Sequence, residues 1–383
     1  MAANIVPGEW IVSLRAYAND AMDDEHSSVI RTRTADPETH FDCDVRCHFK
    51  LPELRGYVAK FDDETKAELE ALDAVATIEP VQIYRHCTTS SATAMVQADA
   101  PWGLARISRR QKVASTGPFQ YRYKATGEGT VAYVLDTGIT DTHVEFEGRA
   151  SKGPVFSSSE GVSDGDTDGH GTHVAGTIAG KTYGVAKKAE VVGVKVFNDD
   201  KPSPGATNAD IIKAIEWVVE EARNHGKPSV INLSLGGGPS DILDRAVASA
   251  VRSGVTCVVA AGNSLEPADR GSPSREALAI TVGATSIQDA SASFSNYGKT
   301  VDILAPGVDI KSAWIGESNT ETKSINGTSM ASPHVAGAVC CLLEREKLEP
   351  LLVMPQLLTW ADKNKVSGLK ERTIDALLQV SDT

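Results

Sequence analysis

Short apolar runs rich in β-branched residues alternate with helical segments from about residue 101 onward, and this alternation constrains the fold more than any other feature. The runs cover residues 131–135, 191–197, 230–235, 255–261 and 279–282, and the helical segments cover about 170–180, 207–225, 239–253 and 328–346. Strands that are apolar along their whole length and alternate with helices are typical of a parallel sheet covered on both faces. We therefore expect an α/β fold with a central parallel sheet, and functional residues at the carboxyl ends of its strands.

The first ninety residues follow a different pattern, which predicts a small α+β unit. Residues 10–14 and 56–61 read as strands, a helix runs from Asp62 to about Leu72, and 75–84 is extended, with Pro80 indicating an edge strand. Residues 86–100 are small and polar without periodicity, as in an exposed linker. The sequence thus predicts a domain over 1–91 with a linker to about 100, and a second domain over 92–383.

The acidity of the chain is concentrated in this first unit. The formal net charge is −13, and residues 1–91 hold 9 of the 38 basic and 17 of the 51 acidic residues. Such a charge argues against a nucleic-acid partner, which needs a basic face. No run approaches the ~18 apolar residues of a membrane-spanning helix, so we expect no membrane partner. The first residues have neither a basic start nor an apolar stretch of signal-peptide length.

The cysteines indicate neither a disulfide framework nor a clear metal site. Cys43 and Cys47, with His48 beside them, could form half a zinc site, but no second ligand pair at metal spacing follows. Cys340 and Cys341 are adjacent in an apolar helical run, which predicts that both are buried.

Three short stretches carry candidate chemistry. Asp136 directly follows an apolar strand, His170 lies between glycines in the run Asp-Gly-His-Gly-Thr-His, and Ser329 lies where a loop becomes a helix. Each stretch also has a plain interpretation. Asp136 could cap a turn, Ser329 could cap its helix, and His170 with His173 could be core residues or, more weakly, metal ligands, since no Glu lies between them at metalloprotease spacing.

Together the three residues supply an acid, a base and a nucleophile. A serine hydroxyl is a poor nucleophile unless a base takes its proton, and a neutral histidine suits that task near neutral pH. A carboxylate then fixes the imidazole tautomer and stabilises the imidazolium. Spacings of 34 and 159 residues place the three groups on separate elements that only the fold can join.

Asn263 ends the apolar run 258–261 after a glycine and completes this set. Attack on a carbonyl creates an oxyanion that needs preorganised donors, and the Asn263 amide and the Ser329 backbone N–H could supply two. Alternatively, Asn263 is a turn residue after a strand.

These stretches resemble the subtilisin family of serine peptidases, in particular its proteinase K-like branch. The similarity begins at residues 100–108 (Ala-Pro-Trp-Gly-Leu-Ala-Arg-Ile-Ser), continues through 183–188, 233–238 and 293–298, and reaches nearly to the C-terminus. The first unit resembles the inhibitor-like propeptide of the family more loosely, by its strands, its acidic helix and its position.

The resemblance implies a subtilisin-like sheet with helices on both faces and a monomeric endopeptidase that acts on proteins or peptides. Asp136, His170 and Ser329 match the triad and Asn263 matches the oxyanion residue. Two wall segments, namely Ser234, Leu235 and Gly236 and Ala260, Ala261 and Gly262, would enclose the residue before the scissile bond. Their small, uncharged side chains favour apolar or aromatic residues there and count against dibasic processing. The propeptide would act as an intramolecular inhibitor. Members of the family are usually secreted or vacuolar, and the compartment is left open.

The chain departs from the family pattern at residues 201–208 and in its cysteines, and it matches a residue of the family's calcium site at Asp302. Residues 201–208 replace a glycine-rich substrate-binding edge, with two prolines and with Asn208 where relatives often carry a tyrosine, so the outer substrate preference cannot be assigned. Asp302 matches a calcium-binding carboxylate, with carbonyls expected from Ala277 and Ala279, or it is an ordinary loop residue. No cofactor is expected for catalysis, and calcium would be structural. The cysteine pairs of the branch are not recognisable in the catalytic region.

The leading hypothesis is an endopeptidase made as a zymogen that cleaves itself between Cys87 and Ala100. A binding or inhibitory protein with an inactive peptidase fold is a second hypothesis, although every catalytic residue is present. An esterase or peptide ligase is a third, because other nucleophiles could intercept the same acyl-enzyme.

Overall fold

The computed structural model describes residues 5–15, 17–18, 26, 28–30, 43–51, 54–82, 94–157, 162–198 and 205–380. The chain forms two compact units, Met1–Ser91 and Ala92–Thr383. Among the described residues, no helix is long and apolar enough to cross a membrane.

The N-terminal unit is a four-stranded antiparallel sheet with a helix. The sheet order is β2-β3-β1-β4, with β1 Ile5–Leu14, β2 Asp44–Leu51, β3 Leu54–Lys60 and β4 Val75–Gln82, and helix α1 is Asp63–Glu70. The side chain of Asp62 caps α1 by accepting the backbone N–H of Thr65 at 2.8 Å. Pro80 lies on β4 at an edge of the sheet, as predicted. The unit has its own buried core, which includes Val12, Tyr57 and Phe61.

Two interpretations of this part of the chain can be compared with the structure. The region of Cys47 and His48 is a strand in which Cys47 is exposed, while Cys43 just before it is buried. No group of three or more histidine, cysteine or acidic side chains that could hold a metal occurs among the described residues. The linker expected over 86–100 is partly wrong because Met95–Ala98 pairs with Gln120–Tyr123 in a two-stranded ribbon. Residues 83–93 lie outside the described ranges.

The second unit is built on a nine-stranded sheet in its described part. The strands are β7 Val131–Asp136, β8 Ala150–Val155, β9 Glu190–Lys195, β10 Ser229–Leu233, β11 Thr256–Ala260, β12 Ile280–Thr285, β13 Ile303–Pro306, β16 Asp362–Lys363 and β17 Ala376–Leu377. Their order in the sheet is β16-β17-β13-β12-β11-β10-β7-β9-β8, and the pairs are parallel except for β16 with β17. Two ribbons, β5 Met95–Ala98 with β6 Gln120–Tyr123 and β14 Ile310–Ala313 with β15 Thr322–Ile325, lie outside this sheet.

Helices cover both faces of the sheet, as the continuous apolar strands predict. They are α2 Trp102–Ile107, α3 His170–Ala179, α4 Asn208–His225, α5 Asp241–Arg252, α6 Thr328–Arg345 and α7 Pro350–Trp360, with short 3-10 turns at Val144–Phe146 and Ala268–Arg270. Along β7, Ala132 and Val134 join one buried core with α3 and α6, whereas Val131, Tyr133 and Leu135 join a second core with α4 and α5. Cys340 and Cys341 on α6 are buried and unpaired, as predicted.

The side of the sheet on which the chain adds successive strands changes between β7 and β10. From β7 the chain adds β8 and β9 on one side, and then crosses to add β10, β11, β12 and β13 on the other. In open parallel sheets, a crevice forms at the carboxyl ends of strands at such a point. Asp136 is the last residue of β7 and Ser234 directly follows β10, so both lie at this crevice.

Candidate active site

Asp136 and His170 are in direct contact at the carboxyl end of β7. The Asp136 carboxylate is fully buried, and its Oδ1 accepts the backbone N–H of Thr137 at 2.8 Å. The same oxygen lies 2.7 Å from Nδ1 of His170, the first residue of α3. Because an ionised carboxylate only accepts hydrogen bonds, Nδ1 carries the proton in this pair. The neutral imidazole therefore leaves Nε2 with a free lone pair.

The acidic surroundings of His170 favour its protonated form. Burial by itself lowers the pKa of His170, but the charge and hydrogen bond of Asp136, with the charges of Asp168 and Asp166, outweigh burial and raise the pKa from 6.5 to about 9. A base of this strength is well suited to accept a proton and is itself neutral only in alkaline solution.

Asp166 joins the turn after β7 to the start of α3, and the sequence analysis did not identify it. Its Oδ1 accepts the Thr137 hydroxyl and the Gly169 N–H, each at 2.8 Å, and its Oδ2 accepts the Thr172 N–H at 2.9 Å and the Thr172 hydroxyl at 2.5 Å. The Thr137 hydroxyl in turn accepts the Gly171 N–H at 2.8 Å. This network fixes the helix that carries His170 relative to the strand that carries Asp136.

Gly171 allows this close approach. A Cβ atom at Gly171 would lie 2.1 Å from the carbonyl oxygen of Gly138, so any side chain would push α3 away from the turn after β7. The glycine on the other side of His170, Gly169, has φ +103° and faces the ring of Trp314.

Ser329 lies in the first turn of α6, at the loop-to-helix junction that the sequence predicts. Its hydroxyl donates to the carbonyl of Ser234 at 3.2 Å, and the Ser234 hydroxyl donates to the carbonyl of Ser329 at 2.9 Å. No hydrogen bond joins Ser329 to His170 within the described residues, although α3 and α6 pack against each other. Catalytic hydrogen bonds are often long or misaligned before substrate binds.

Asn263 is oriented by the residue before Ser329. Its Oδ1 accepts both the backbone N–H of Thr328, at 2.8 Å, and the Thr328 hydroxyl, at 2.9 Å. The Thr328 hydroxyl also accepts the N–H of Gly262 at 3.1 Å. These bonds hold the amide oxygen of Asn263 on Thr328, and no hydrogen bond from its NH2 group occurs among the described residues.

A cavity of about 390 Å³ lies beside Ser329 and Asn263. Five of the six residues assigned to the two walls line it, namely Leu235, Gly236, Ala260, Ala261 and Gly262. Ser234 is not among the lining residues and instead bonds to Ser329. The sequence predicts an uncharged cavity, but the charged side chains of Glu266 and Arg270 also line it. Their charged groups lie 3.9 Å apart.

Asn296 organises one wall of this cavity, and the sequence analysis gave it no role. Its amide donates to the carbonyl of Ala261 at 3.0 Å, and its Oδ1 accepts the N–H groups of Ser264, at 2.9 Å, and Glu266, at 3.1 Å. Gly262, with φ +104°, makes room for it, since a Cβ there would lie 2.4 Å from the Asn296 amide nitrogen. The sequence signal for Asn296 is its position within residues 293–298, which resemble the subtilisin family.

A second cavity, of about 450 Å³, lies at the edge where the sequence departs from its relatives. Gly205, Ala206 and Asn208 line it together with residues 235–240. The Asn208 amide donates to the hydroxyl of Ser240 at 3.3 Å. Residues 199–204, including both prolines of this edge, lie outside the described ranges.

The remaining candidate residues lie apart from this crevice or in the core. His173 is buried, its Nε2 lies 2.9 Å from the carbonyl of Ile310, and burial lowers its pKa to about 4, which fits a core histidine. Asp302 accepts the N–H of Thr281 at 2.8 Å, and burial raises its pKa to about 6. Ala277 and Ala279 lie just before Thr281 in the chain.

Comparison with known proteins places the chain in one family. A family model described as the Subtilase family matches residues 127–377. The chain is 41% identical to Alkaline protease 1 of Aspergillus clavatus over 381 residues, which is 96% of this chain and 90% of that protein. It is 45% identical to the Extracellular serine proteinase of Thermus sp. over 328 residues, 85% of this chain and 75% of that protein.

A solved structure agrees with this placement. The crystal structure of a cold adapted subtilisin-like serine proteinase matches with a TM-score of 0.67 and 42% identity, over 74% of this chain and 99% of that one. The α/β sheet with its flanking helices is therefore a subtilisin-like fold. The chain belongs to the subtilase family and is a serine endopeptidase of the subtilisin type.

Proposed function

We propose that this endopeptidase cleaves peptide bonds with Asp136, His170 and Ser329 as a catalytic triad. The observation that carries the proposal is the 2.7 Å contact between His170 Nδ1 and Asp136 Oδ1 at the sheet's crevice. This contact leaves Nε2 as a base, and Ser329 lies beside the cavity that would hold the residue before the scissile bond.

In the first step, the Ser329 hydroxyl leaves the carbonyl of Ser234, passes its proton to Nε2 of His170 and attacks the substrate carbonyl. The buried Asp136 carboxylate stabilises the imidazolium that forms. The oxyanion accepts hydrogen bonds from the Asn263 amide and the backbone N–H of Ser329. His170 then protonates the departing amine, and water repeats the sequence to release the acyl group.

The test of this assignment is covalent labelling by a fluorophosphonate probe, which reacts with an activated serine. We expect the processed enzyme to be labelled, and Ser329→Ala and His170→Ala to lose labelling. Ser253→Ala, on an exposed serine in another part of the unit, should be labelled like the parent. Labelling that persists in Ser329→Ala would reject Ser329 as the nucleophile, and a processed protein that does not label would favour the binding-protein hypothesis.

We propose that the site prefers an apolar or aromatic residue before the scissile bond. Small side chains form most of the cavity near Ser329, and the two charges that line it compensate each other because Glu266 and Arg270 are oppositely charged. Peptides that differ only at this position test the preference. Phenylalanine or leucine should give a higher kcat/KM than lysine or glutamate, and the reverse order would reject it.

We propose further that the N-terminal unit is a propeptide that inhibits the enzyme and is removed by self-cleavage. The similarity to the Aspergillus clavatus protease covers 96% of the chain, so it includes most of this unit. A cut before Met95 would spare the ribbon that Met95–Ala98 forms with Gln120–Tyr123. We therefore place the cut between residues 87 and 95.

The processing test compares the parent chain with Ser329→Ala in a protease-free expression system. Sequencing the N-terminus of each product should show a cut in the parent and an intact chain in the variant. Identical processing of both would reject self-cleavage. The released N-terminal unit, added back to the mature enzyme, should inhibit it if the unit is an inhibitor.

We propose that the Asp302 carboxylate and the backbone carbonyls of Ala277 and Ala279 bind calcium. The donor chemistry fits a hard cation, since one carboxylate and two carbonyls offer only oxygen. Burial raises the pKa of Asp302 to about 6 although its carboxylate accepts the Thr281 N–H, so its buried charge is only partly compensated. Bound calcium would supply a positive charge there, and no catalytic step depends on it.

A further inference from the structure

A second kind of site is formed by basic side chains on the unit Ala92–Thr383. A cavity of about 490 Å³ is lined by Arg109, Arg110, Arg122 and Lys124, and the other lining residues are neutral. No acidic side chain lines this cavity in the part of the chain that the structure describes. Four cations around one cavity are unexpected in a protein whose net charge is −13.

The backbone around this cavity is held in place by hydrogen bonds and ring stacking. The N–H of Arg122 donates to the buried hydroxyl of Ser108 at 3.1 Å, and the buried guanidinium of Arg106 donates to the carbonyl of Arg109 at 2.8 Å. The ring of Tyr123, which also lines the cavity, stacks on Tyr121 with centroids 4.8 Å apart. These contacts fix the backbone from which the cations extend, while the side chains of Arg109, Arg110 and Arg122 are exposed.

Most of this positive charge lacks a carboxylate partner. Arg110 contacts Asp362 at 3.2 Å, but Asp362 is also bound by the buried Arg106 at 3.0 Å. Within the described residues, Arg109 and Lys124 have no ion-pair partner. In the part of the chain that the structure describes, the Arg122 side chain reaches only the Gln120 amide oxygen, at 3.5 Å. Like charges held together repel each other, so an anion in the cavity would remove an unfavourable interaction.

We propose that this cavity binds a small phosphate-type oxyanion that carries at least two negative charges. Arginine presents a planar fork of donors that matches phosphate oxygens in pairs, and three of the four cations are arginines. A single carboxylate would neutralise only one of them, whereas a diphosphate group brings several charges into the same volume. A long nucleic acid fits poorly because the rest of the protein is acidic.

Inorganic pyrophosphate is the probe for this site. The full-length Ser329→Ala chain, which cannot cleave itself if Ser329 is the nucleophile, is titrated calorimetrically near neutral pH and low ionic strength. We expect saturable binding of one pyrophosphate per chain, weaker binding of orthophosphate, and loss of affinity as salt rises. Added pyrophosphate should also raise the melting temperature, because a ligand of the native state stabilises it.

Single substitutions locate the site. Arg109→Gln and Arg122→Gln should each weaken pyrophosphate binding about tenfold, the effect of losing one charged hydrogen bond. Arg252→Gln removes an exposed arginine elsewhere and should leave binding unchanged. Melting curves without ligand should differ little among the three, because each side chain is exposed and solvent screens most of the repulsion between the cations.

Three results would overturn the proposal. The first is the absence of saturable binding, and the second is an equal loss in Arg252→Gln, which would indicate only non-specific attraction. The third is tighter binding of a tetraglutamate peptide than of pyrophosphate, which would show that the cavity takes an acidic protein segment.

Discussion

His170 Nδ1 lies 2.7 Å from Oδ1 of Asp136, and this carboxylate is completely buried. A buried charge is costly unless it is compensated, and among the described residues Asp136 Oδ1 accepts the Thr137 N–H and contacts the imidazole, while Oδ2 has no hydrogen-bond partner. The pair therefore depends on both partners. The imidazole is held in one tautomer, and the carboxylate gains a partner that can become positive.

Asp136→Asn should keep the fold and lose most activity. The amide has the same shape but no charge, so it neither stabilises an imidazolium nor requires the proton on Nδ1. The same change in another serine protease lowers kcat about 10⁴-fold, and we expect a similar loss here. Steady-state kinetics measure it, and circular dichroism checks that the variant is folded. A loss of less than tenfold would contradict the assignment of Asp136.

Peptidase activity should rise with pH and reach half its maximum near pH 9. His170 must be neutral to act as a base, and its pKa is raised to about 9, so it is protonated and inactive below that pH. Asp168 contributes to the raised pKa. Asp168→Asn should therefore move the midpoint of the kcat/KM profile to lower pH. A parent profile that is already flat at neutral pH would contradict this prediction.

Asn263→Ala should lower kcat and change KM little, because an oxyanion exists only after attack. Loss of this kind of donor in a subtilisin costs about 10²–10³ in kcat. Thr328→Val tests the orientation of the same amide, since the Thr328 hydroxyl donates to Asn263 Oδ1 at 2.9 Å. We expect it to lose about tenfold, the value of one hydrogen bond. Thr328→Ser keeps the hydroxyl and should retain activity, and equal losses in both would contradict this role.

The sequence predicted the central elements well because their signals are local. The strand that ends at Asp136 and the helices that begin at His170 and near Ser329 follow from apolar periodicity and from flanking glycines. The sequence did not predict strands β2, β8, β13, β16 and β17, helix α2 or the two ribbons. The segment Ala150–Val155 alternates poorly and contains Gly153 and Pro154. Helix Pro350–Trp360 was not predicted because Pro355 lies inside it, where a proline argues against a helix.

The supporting residues of the site could not be predicted because their partners are distant in sequence. Asp166 bonds to Thr137, 29 residues earlier, and Asn296 bonds to Ala261, 35 residues earlier. Asp166 lies in an acidic run that reads equally well as a solvated loop. Glu266 lines the cavity beside Ser329, and its backbone N–H donates to the distant Asn296 side chain. Motif spacing identifies the groups that could react, and tertiary contacts decide which residues hold them.

Calcium should raise the melting temperature of the protein through Asp302. The pKa of this carboxyl is raised from 3.8 to about 6. In the metal-free protein its charge therefore costs stability above pH 6, and that cost disappears as the pH falls from about 6 to 4. Asp302→Asn should be at least as stable as the parent in chelator at neutral pH, and should show no gain with calcium. An equal gain in both proteins would contradict the proposed site.

The buried arginine Arg106 should be a main support of the second unit. It is 1% exposed, and its guanidinium lies 2.8 Å from Asp289 and 3.0 Å from Asp362. These contacts connect α2 to the turn after β12 and to β16, two segments that are distant from α2 in the sequence. Loss of either carboxylate would still leave the buried guanidinium with the other, so we expect a cost below the roughly 3–5 kcal/mol that is typical when a buried charge loses its sole partner.

Asp289→Ala should therefore lower the free energy of unfolding by about 1.5–3 kcal/mol, the value of one hydrogen bond to a charged group, measured by urea titration of the full-length Ser329→Ala chain. Lys227→Ala provides the matched control, because Lys227 and Glu190 form an ion pair of 2.7 Å in which both side chains are exposed. Solvent screens such a pair, so this control should cost less than about 1 kcal/mol. Similar losses in the two variants would mean that burial of Arg106 does not set the strength of its contacts.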